Sequence, residues 1–222
     1  MNTKSFTLQV SSDIGSVSAE AIVPENPYCI ITLAHGAGAG MNHAFMVSLA
    51  NLLAAKGVVT VRFNFPSTEN KKGRPDVPAV AHKTIAAAIK SARELFHSLP
   101  LFASGKSFGG RMSSQYLSAH PDAGVKGIIF FGFPLHPPKK PSTERAEHLK
   151  DVHLPMLFLQ GTRDELATWD LIAAVCAALP QSTLVKIEKA NHMFKAGKQD
   201  TVSILADATD EWLTNQITPP VS

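Results

Sequence analysis

The amino-acid sequence predicts an α/β protein with a doubly wound, mostly parallel sheet and helices on both of its faces. Short, nearly continuous apolar runs alternate along the chain with longer segments of helical periodicity, which is the order that βαβ units produce. Strands that are covered on both faces have such uninterrupted apolar runs. Glycine-rich or polar segments follow several runs, at the positions where ligands bind in sheets of this kind.

An antiparallel hairpin is expected at the start of the chain. Polar and apolar residues alternate there with a period of two over residues 6–10 and 17–23, around the turn-forming segment 13–15. The parallel strands are predicted from the apolar runs that follow, at residues 28–33, 58–63, 99–103, 127–131, 155–159 and 184–187.

Helices are predicted between and after these strands. The clearest spans about residues 77–96, where apolar side chains recur at the helical spacing behind Asp76, a candidate N-cap. The others cover about residues 43–56, 110–120, 169–178 and 201–215. Right-handed crossovers then bring the carboxyl ends of the parallel strands to one edge of the sheet.

Length and composition favour a single globular domain over residues 1–222. The chain is 45% hydrophobic and 18% charged, with a formal charge of +3, and has neither a secretory signal pattern nor a membrane-spanning apolar run. Basic clusters at residues 71–74 and 139–140 are interpreted as solvated loops and not as a nucleic-acid footprint. Cys29 and Cys176 fall in apolar runs, which indicates buried thiols in a reducing compartment. We therefore expect a cytoplasmic protein without nucleic-acid or membrane partners, its oligomeric state left open.

Ser107 is the strongest candidate for a nucleophile. It stands in Gly105-Lys106-Ser107-Phe108-Gly109, after an apolar run and before a helical one, which is the setting of a nucleophile elbow. Glycines two residues to either side leave room for the tight strand-to-helix turn that such a serine occupies. The pentapeptide alone also fits an ordinary strand-to-helix loop. Its value as evidence for a nucleophile therefore depends on whether a base and an acid occur elsewhere in the chain.

A base and an acid for Ser107 are predicted after two later strands. Asp164 follows the fifth parallel strand and His192 follows the sixth, which gives the chain order Ser, Asp, His. A serine needs a base to accept its proton, and the base needs a third group to fix its tautomer. Two alternatives stay open, because Asp164 also suits a helix N-cap and because Glu165 and Asp170 are rival acids.

Acyl transfer also requires hydrogen-bond donors for the developing oxyanion. The backbone amide of Phe108 is one expected donor, and that of Ala37 in the glycine-rich segment 35–40 is the other. The segment does not match the nucleotide motif G-x-G-x-x-G, since Met41 stands at its third glycine. Neither paired C-x-x-C nor H-E-x-x-H occurs, so no cofactor and no metal is expected.

With these motifs the chain resembles α/β-hydrolases of the dienelactone-hydrolase-like group over nearly its whole length. The resemblance runs through His35-Gly36-Ala37-Gly38, the elbow at Ser107, Gly161-Thr162-Arg163-Asp164 and Asn191-His192. It is closest to a small subfamily with RFNFP and FPLHPP motifs, which includes uncharacterised bacterial proteins and a hydrolase-like subunit of a chromatin-acetylating complex. The resemblance implies the α/β-hydrolase fold and the Ser, His, Asp arrangement. Dienelactone hydrolases themselves carry a cysteine at the elbow, so Ser107 argues against lactone specificity.

The substrate pocket is expected to be shallow under a minimal lid. Residues 132–155 lie where related hydrolases carry a lid, but roughly twenty proline-rich residues can form only a short cap. An equally acceptable interpretation is that these prolines stiffen a surface loop. The candidate pocket residues are Gly36, Leu135, His136, Arg145 and His148.

The leading functional hypothesis is a serine hydrolase that cleaves short-chain or small esters through an acyl-enzyme on Ser107. A thioesterase or an acyltransferase would use the same three residues and differ only in substrate or in acyl acceptor. A non-catalytic interaction module that keeps the fold is the rival hypothesis, because a fold does not fix a function.

Overall fold

The structure, a computed structural model, describes residues 1–217. One eight-stranded sheet runs through these residues. Its strands are β1 (Asn2–Ser11), β2 (Gly15–Val23), β3 (Cys29–Ala34), β4 (Val58–Phe63), β5 (Leu101–Lys106), β6 (Ile128–Phe131), β7 (Met156–Gly161) and β8 (Ser182–Ile187). The helices are α1 (Ala44–Ala55), α2 (Pro66–Glu69), α3 (Pro78–Leu95), α4 (Phe108–Ala119), α5 (Trp169–Ala177) and α6 (Thr201–Ile217), with a 3-10 helix at Glu144–Asp151.

The strand order is β1-β2-β4-β3-β5-β6-β7-β8. β1 and β2 form the predicted antiparallel hairpin, and β2 also lies antiparallel to β4. From β4 to β8 every neighbouring pair is parallel. The predicted α/β class and the mostly parallel sheet are therefore confirmed.

Helices cover both faces of the sheet. Helices α3, α4 and α5 pack on one face with the 3-10 helix, and α1 and α6 pack on the other. The rings of Phe130 and Phe158 lie 4.5 Å apart between centroids, tilted by 33°, under the first layer, whereas Phe102 meets Trp212 of α6 edge-on under the second. Burial of each such ring contributes roughly 1.5–3 kcal/mol to stability, so both layers stabilise the central strands.

Two helix starts differ from the predictions. Asp76 is not the N-cap of α3, because Pro78 takes the first helical position and Val77 is the extended residue before it. The Asp76 carboxylate instead accepts a hydrogen bond from Ser67 N at 2.8 Å. Helix α4 begins at Phe108, two residues before the predicted start, and α2 and the 3-10 helix were not predicted.

The segment between β6 and β7, residues 132–155, folds down onto the protein. Phe133, Leu135, Leu149 and Val152 are each no more than 1% exposed and belong to the core under α4. These buried apolar residues anchor the segment at several points. Cys29 and Cys176 are free and buried, as predicted. None of the helices within residues 1–217 is long and apolar enough to cross a membrane.

Candidate active site

Ser107 occupies a strained turn between β5 and α4. Its backbone lies at φ 50° and ψ −113°, a left-handed conformation that residues with side chains rarely adopt. The glycines on either side are required by close backbone packing. A Cβ on Gly109 would lie 2.5 Å from the carbonyl oxygen of Ala34, and one on Gly105 would collide with the backbone of Gly110. This geometry is the predicted nucleophile elbow.

The side chains of Ser107, His192 and Asp164 form one hydrogen-bonded chain. His192 Nε2 lies 2.8 Å from Ser107 Oγ, and His192 Nδ1 lies 2.8 Å and 3.0 Å from the two carboxylate oxygens of Asp164. A carboxylate only accepts, so Nδ1 carries the proton and Nε2 is left to accept from the serine hydroxyl. Three residues predicted from chain order therefore meet beyond the carboxyl ends of β5, β7 and β8.

Asp164 is buried and held from two further directions. Gln160 Nε2 donates to Oδ2 at 2.6 Å, and the backbone N–H of Leu166 donates to Oδ1 at 2.8 Å. Such donors stabilise a carboxylate that has lost its hydration shell. Helix α5 begins only at Trp169 with Thr168 as its N-cap, so Asp164 does not serve as that cap.

The rival acids do not contact the imidazole of His192. Glu165 is exposed, and its Oε2 accepts from the backbone N–H of His192 at 3.2 Å, which fixes the loop and not the ring. Asp170 lies exposed in the first turn of α5. The geometry therefore favours Asp164 as the partner of His192.

Lys106, which the sequence reasoning missed, fastens the loop that carries His192. Its Nζ donates to the carbonyl oxygen of His192 at 2.6 Å and lies 5.0 Å from the centroid of the Phe194 ring. Burial lowers the pKa of Lys106 to about 8, although the negative charges of Asp164 and Glu165 act in the opposite direction. A lysine at the end of a buried apolar strand was the available signal.

The two expected oxyanion donors lie beside Ser107. A Cβ on Gly36 would be 3.7 Å from Ser107 Cβ, so the segment that contains Ala37 rests directly against the elbow. Phe108 is the first residue of α4, whose N-terminal amides have no acceptor within the helix and carry partial positive charge. Among residues 1–217, the backbone amides of Ala37 and Phe108 donate no hydrogen bond. Both remain available to a ligand oxygen.

His35 supports the Ala37 segment in its neutral form. Its Nε2 accepts from the backbone N–H of Phe65 at 3.0 Å, so Nδ1 carries the proton and donates to Gly36 O at 2.8 Å. Burial lowers the pKa of His35, which keeps the ring neutral. Both hydrogen bonds require this tautomer.

A cavity of about 200 Å³ opens at Ser107 and His192. Its lining is mostly apolar and includes the side chains of Phe45, Met46, Leu166 and Met193, with His43 and Lys106 as further polar side chains. The volume lies below the roughly 300–1,000 Å³ of pockets for drug-sized ligands. Within the described residues, no group of three His, Cys, Asp or Glu side chains could hold a metal ion.

Of the five candidate pocket residues, only Gly36 lines this cavity. Leu135 is part of the core, and His136 lies 2.9 Å from Thr168 Oγ1. Arg145 lies half-buried in the 3-10 helix. His148 Nε2 lies 2.8 Å from Ser114 Oγ of α4, and burial lowers its pKa to about 4. The structure does not bring these four residues to Ser107, because their segment packs along α4 and toward α5.

A family model described as an alpha/beta hydrolase domain matches residues 27–214. The chain belongs to the α/β-hydrolase family. Solved structures superpose on nearly all of it. Est1E from Butyrivibrio proteoclasticus has a TM-score of 0.75 and 16% identity, and the match covers 96% of this chain and 98% of that one. At such identities the likeness establishes the fold alone.

Two further structures of this α/β-hydrolase group are informative. An α/β serine hydrolase without a lid from Xanthomonas campestris has a TM-score of 0.74 and 21% identity, over 100% of this chain and 98% of that one. A dienelactone hydrolase from Anabaena variabilis has a TM-score of 0.75 and 18% identity, over 97% and 99%. The expected resemblance to a dienelactone hydrolase is thereby confirmed at the level of the fold.

A curated relative of this α/β-hydrolase comes from Mycobacterium tuberculosis and is named as a candidate phosphoribosyl transferase. The two are 23% identical over 218 residues, which is 96% of this chain and 47% of the relative. The chain thus spans about half the length of the curated relatives that it matches.

Proposed function

We propose that this α/β-hydrolase is a serine hydrolase that cleaves small carboxylic esters through an acyl-enzyme on Ser107 Oγ. The observation that carries the proposal is the unbroken hydrogen-bond chain from Ser107 through His192 to Asp164. Two unused amide donors beside the same hydroxyl and a small apolar cavity support it. Family relatives that are described as esterases or serine hydrolases add support from outside the chain.

The acylation step follows from the positions of these groups. His192 Nε2 takes the hydroxyl proton as Ser107 Oγ bonds to the ester carbonyl carbon. The carbonyl oxygen becomes an oxyanion, which accepts hydrogen bonds from the amides of Ala37 and Phe108. The C–O bond to the alcohol then breaks, and the proton on Nε2 passes to the leaving oxygen.

Deacylation repeats this sequence with water in place of the serine. His192 Nε2 removes a proton from water, whose oxygen attacks the acyl carbon, and the proton returns to Ser107 Oγ as the acid leaves. Asp164 keeps its negative charge throughout and stabilises the imidazolium that forms twice. An alcohol or thiol that replaced the water would turn the same residues to acyl transfer.

The test combines covalent labelling with activity. A fluorophosphonate probe should modify wild-type protein at Ser107 only, because the probe requires an activated serine. Ser107→Ala should abolish labelling and lower hydrolysis of p-nitrophenyl acetate by at least about a thousandfold, with unchanged thermal stability.

Ser118→Ala on α4 is the matched control and should behave as wild type. Retention of more than a few per cent of activity in pure Ser107→Ala protein would overturn the proposal. Wild-type protein that neither labels nor hydrolyses any ester would favour a non-catalytic interaction module.

A further inference from the structure

A second cavity, of about 340 Å³, adjoins the cavity at Ser107. Ala37 and Ala39 line both cavities, and Phe108 lines the second. The two expected oxyanion donors therefore border the second cavity as well as the elbow. An ester whose carbonyl oxygen meets these donors would have one part in each cavity.

The second cavity is basic. Lys71, Lys72 and Arg74 line it together with His35, and no acidic side chain does. In the part of the chain that the structure describes, none of the three cations forms a salt bridge with a carboxylate. The nearby Asp76 carboxylate is engaged by the backbone of Ser67. Three cations thus stand at the rim of a cavity without a negative partner.

The basic segment is held in place by its backbone. Lys71 adopts φ 55°, and its N–H donates to Thr68 O at 3.0 Å. The N–H of Lys72 donates to Ser67 O at 2.7 Å, which closes the turn behind α2. The backbone of this segment is therefore already ordered when an anion binds, so the ordering cost falls on the exposed side chains alone.

We propose that this basic cavity binds a carboxylate or phosphate on the alcohol part of the substrate, so that the protein cleaves small acyl esters of anionic alcohols. This inference rests on the proposed function. The cavity beside Ser107 is small and apolar, which suits a short acyl group, whereas the larger basic cavity suits a charged leaving part. Charge-assisted hydrogen bonds from lysine and arginine to carboxylate or phosphate oxygens would hold that part.

The test compares three acetyl esters of similar shape. 4-Acetoxybenzoate carries a carboxylate, 4-acetoxyphenyl phosphate carries a phosphate, and 4-acetoxybenzamide is neutral. The readout is the ratio of kcat/KM for each anionic ester to that for the neutral one. This ratio should fall by about tenfold in Lys71→Gln/Lys72→Gln/Arg74→Gln, mainly through KM. Added salt should lower the wild-type ratio and leave the ratio of the triple variant unchanged.

The matched control is Lys4→Gln/Lys139→Gln/Lys140→Gln. It removes the same number of positive charges from exposed positions outside both cavities. Lys139 also lies in the left-handed region, at φ 60°, and so matches the strain at Lys71. The control should keep the wild-type ratio. Whichever anion loses more in the cavity variant identifies carboxylate or phosphate as the preferred group.

Failure of this inference is distinguishable from failure of the proposed function. Equal ratios in wild-type protein and both triple variants would overturn the anion site, while Ser107-dependent hydrolysis of the neutral ester would leave the hydrolase intact. If wild-type protein cleaves none of the three esters, calorimetric binding of 4-hydroxybenzoate and 4-hydroxybenzamide tests the cavity directly. Tighter binding of the benzoate that only the cavity variant loses would support the site, and equal binding would overturn it.

Discussion

At the scale of single residues, the backbone of Ser107 carries the strain of the site. A backbone held in such a sparsely populated region costs a residue with a side chain about 1–3 kcal/mol. Hydrogen bonds hold it there, since its N–H donates to Phe131 O at 3.2 Å and its carbonyl accepts from Arg111 N at 3.1 Å. In this conformation the Ser107 hydroxyl oxygen lies 2.8 Å from His192 Nε2. Preorganised sites store backbone strain in this way.

Asp164→Asn should lower kcat for a small aryl ester by about two to four orders of magnitude, because the amide favours the wrong tautomer of His192. Glu165→Gln is the neighbouring control. The amide oxygen of the introduced glutamine still accepts from the backbone N–H of His192. The kcat of Glu165→Gln should therefore fall by less than about tenfold, which is the effect of losing one hydrogen bond. Steady-state kinetics of both variants decide between Asp164 and Glu165 as the acid. A larger loss of kcat in Glu165→Gln than in Asp164→Asn would show that the acid is wrongly assigned.

Lys106 places a positive charge in the interior at a cost to stability. Its pKa is lowered by burial from 10.5 to about 8. Below pH 8 the ammonium is charged in both the folded and the unfolded chain, so the folded state bears the full cost of burying it. Between pH 8 and pH 10.5 the unfolded chain binds more protons than the folded one. The contribution of Lys106 to the free energy of unfolding therefore rises with pH between pH 8 and pH 10.5.

Lys106→Met should remove this pH dependence. The free energy of unfolding of wild-type protein, relative to the variant, should rise by up to ~3 kcal/mol between pH 7.5 and pH 10.5. Urea unfolding at four pH values measures the difference. Activity should fall in the variant although its fold is stable, because the carbonyl of His192 loses its donor. A difference in stability that does not change with pH would contradict the assigned charge.

At the scale of elements, the path of the segment between β6 and β7 shapes substrate size. Its apolar residues pack into the core along α4, and none of its residues lines the cavity at Ser107 within the described chain. An acyl chain that outgrows the small apolar cavity therefore meets solvent and not a lid.

Rates with p-nitrophenyl esters should accordingly peak at short acyl chains. Each methylene that is buried is worth about 0.8 kcal/mol, and an open cavity forgoes this gain beyond the first few carbons. The series from two to sixteen acyl carbons measures kcat/KM. No jump in rate is expected where the ester begins to form droplets, because residues 132–155 pack into the core and form no large lid over the cavity. A steady rise toward long chains would reveal a hydrophobic tunnel.

At the scale of the whole molecule, the arrangement of the sheet follows closely from the sequence. Most residues of the buried parallel strands are apolar, so short apolar runs in the sequence mark these strands. Their common carboxyl edge brings Ser107, Asp164 and His192 together. Hydrogen bonds from a polar side chain within a strand to a loop at the edge of the sheet leave no such periodic trace. Gln160 and Lys106 were missed for this reason. The direction of the 132–155 segment depends on which of its faces is buried, which its prolines do not reveal.

β8 is an edge strand of the sheet, and this position affects how the protein loses activity in urea. Among residues 1–217, β8 pairs only with β7, and most of its residues are partly or fully exposed. The chain runs from β8 directly into the loop of His192. Edge segments open locally at lower free energy than a sheet interior. Mild urea should therefore detach the imidazole from Ser107 while the central strands persist. Esterase activity should disappear at a lower urea concentration than the far-ultraviolet circular dichroism signal, and coincident midpoints would contradict this. The protein would then pass through an inactive intermediate in which the central strands are still folded. Dilution of the urea should restore activity from this intermediate without refolding of the core.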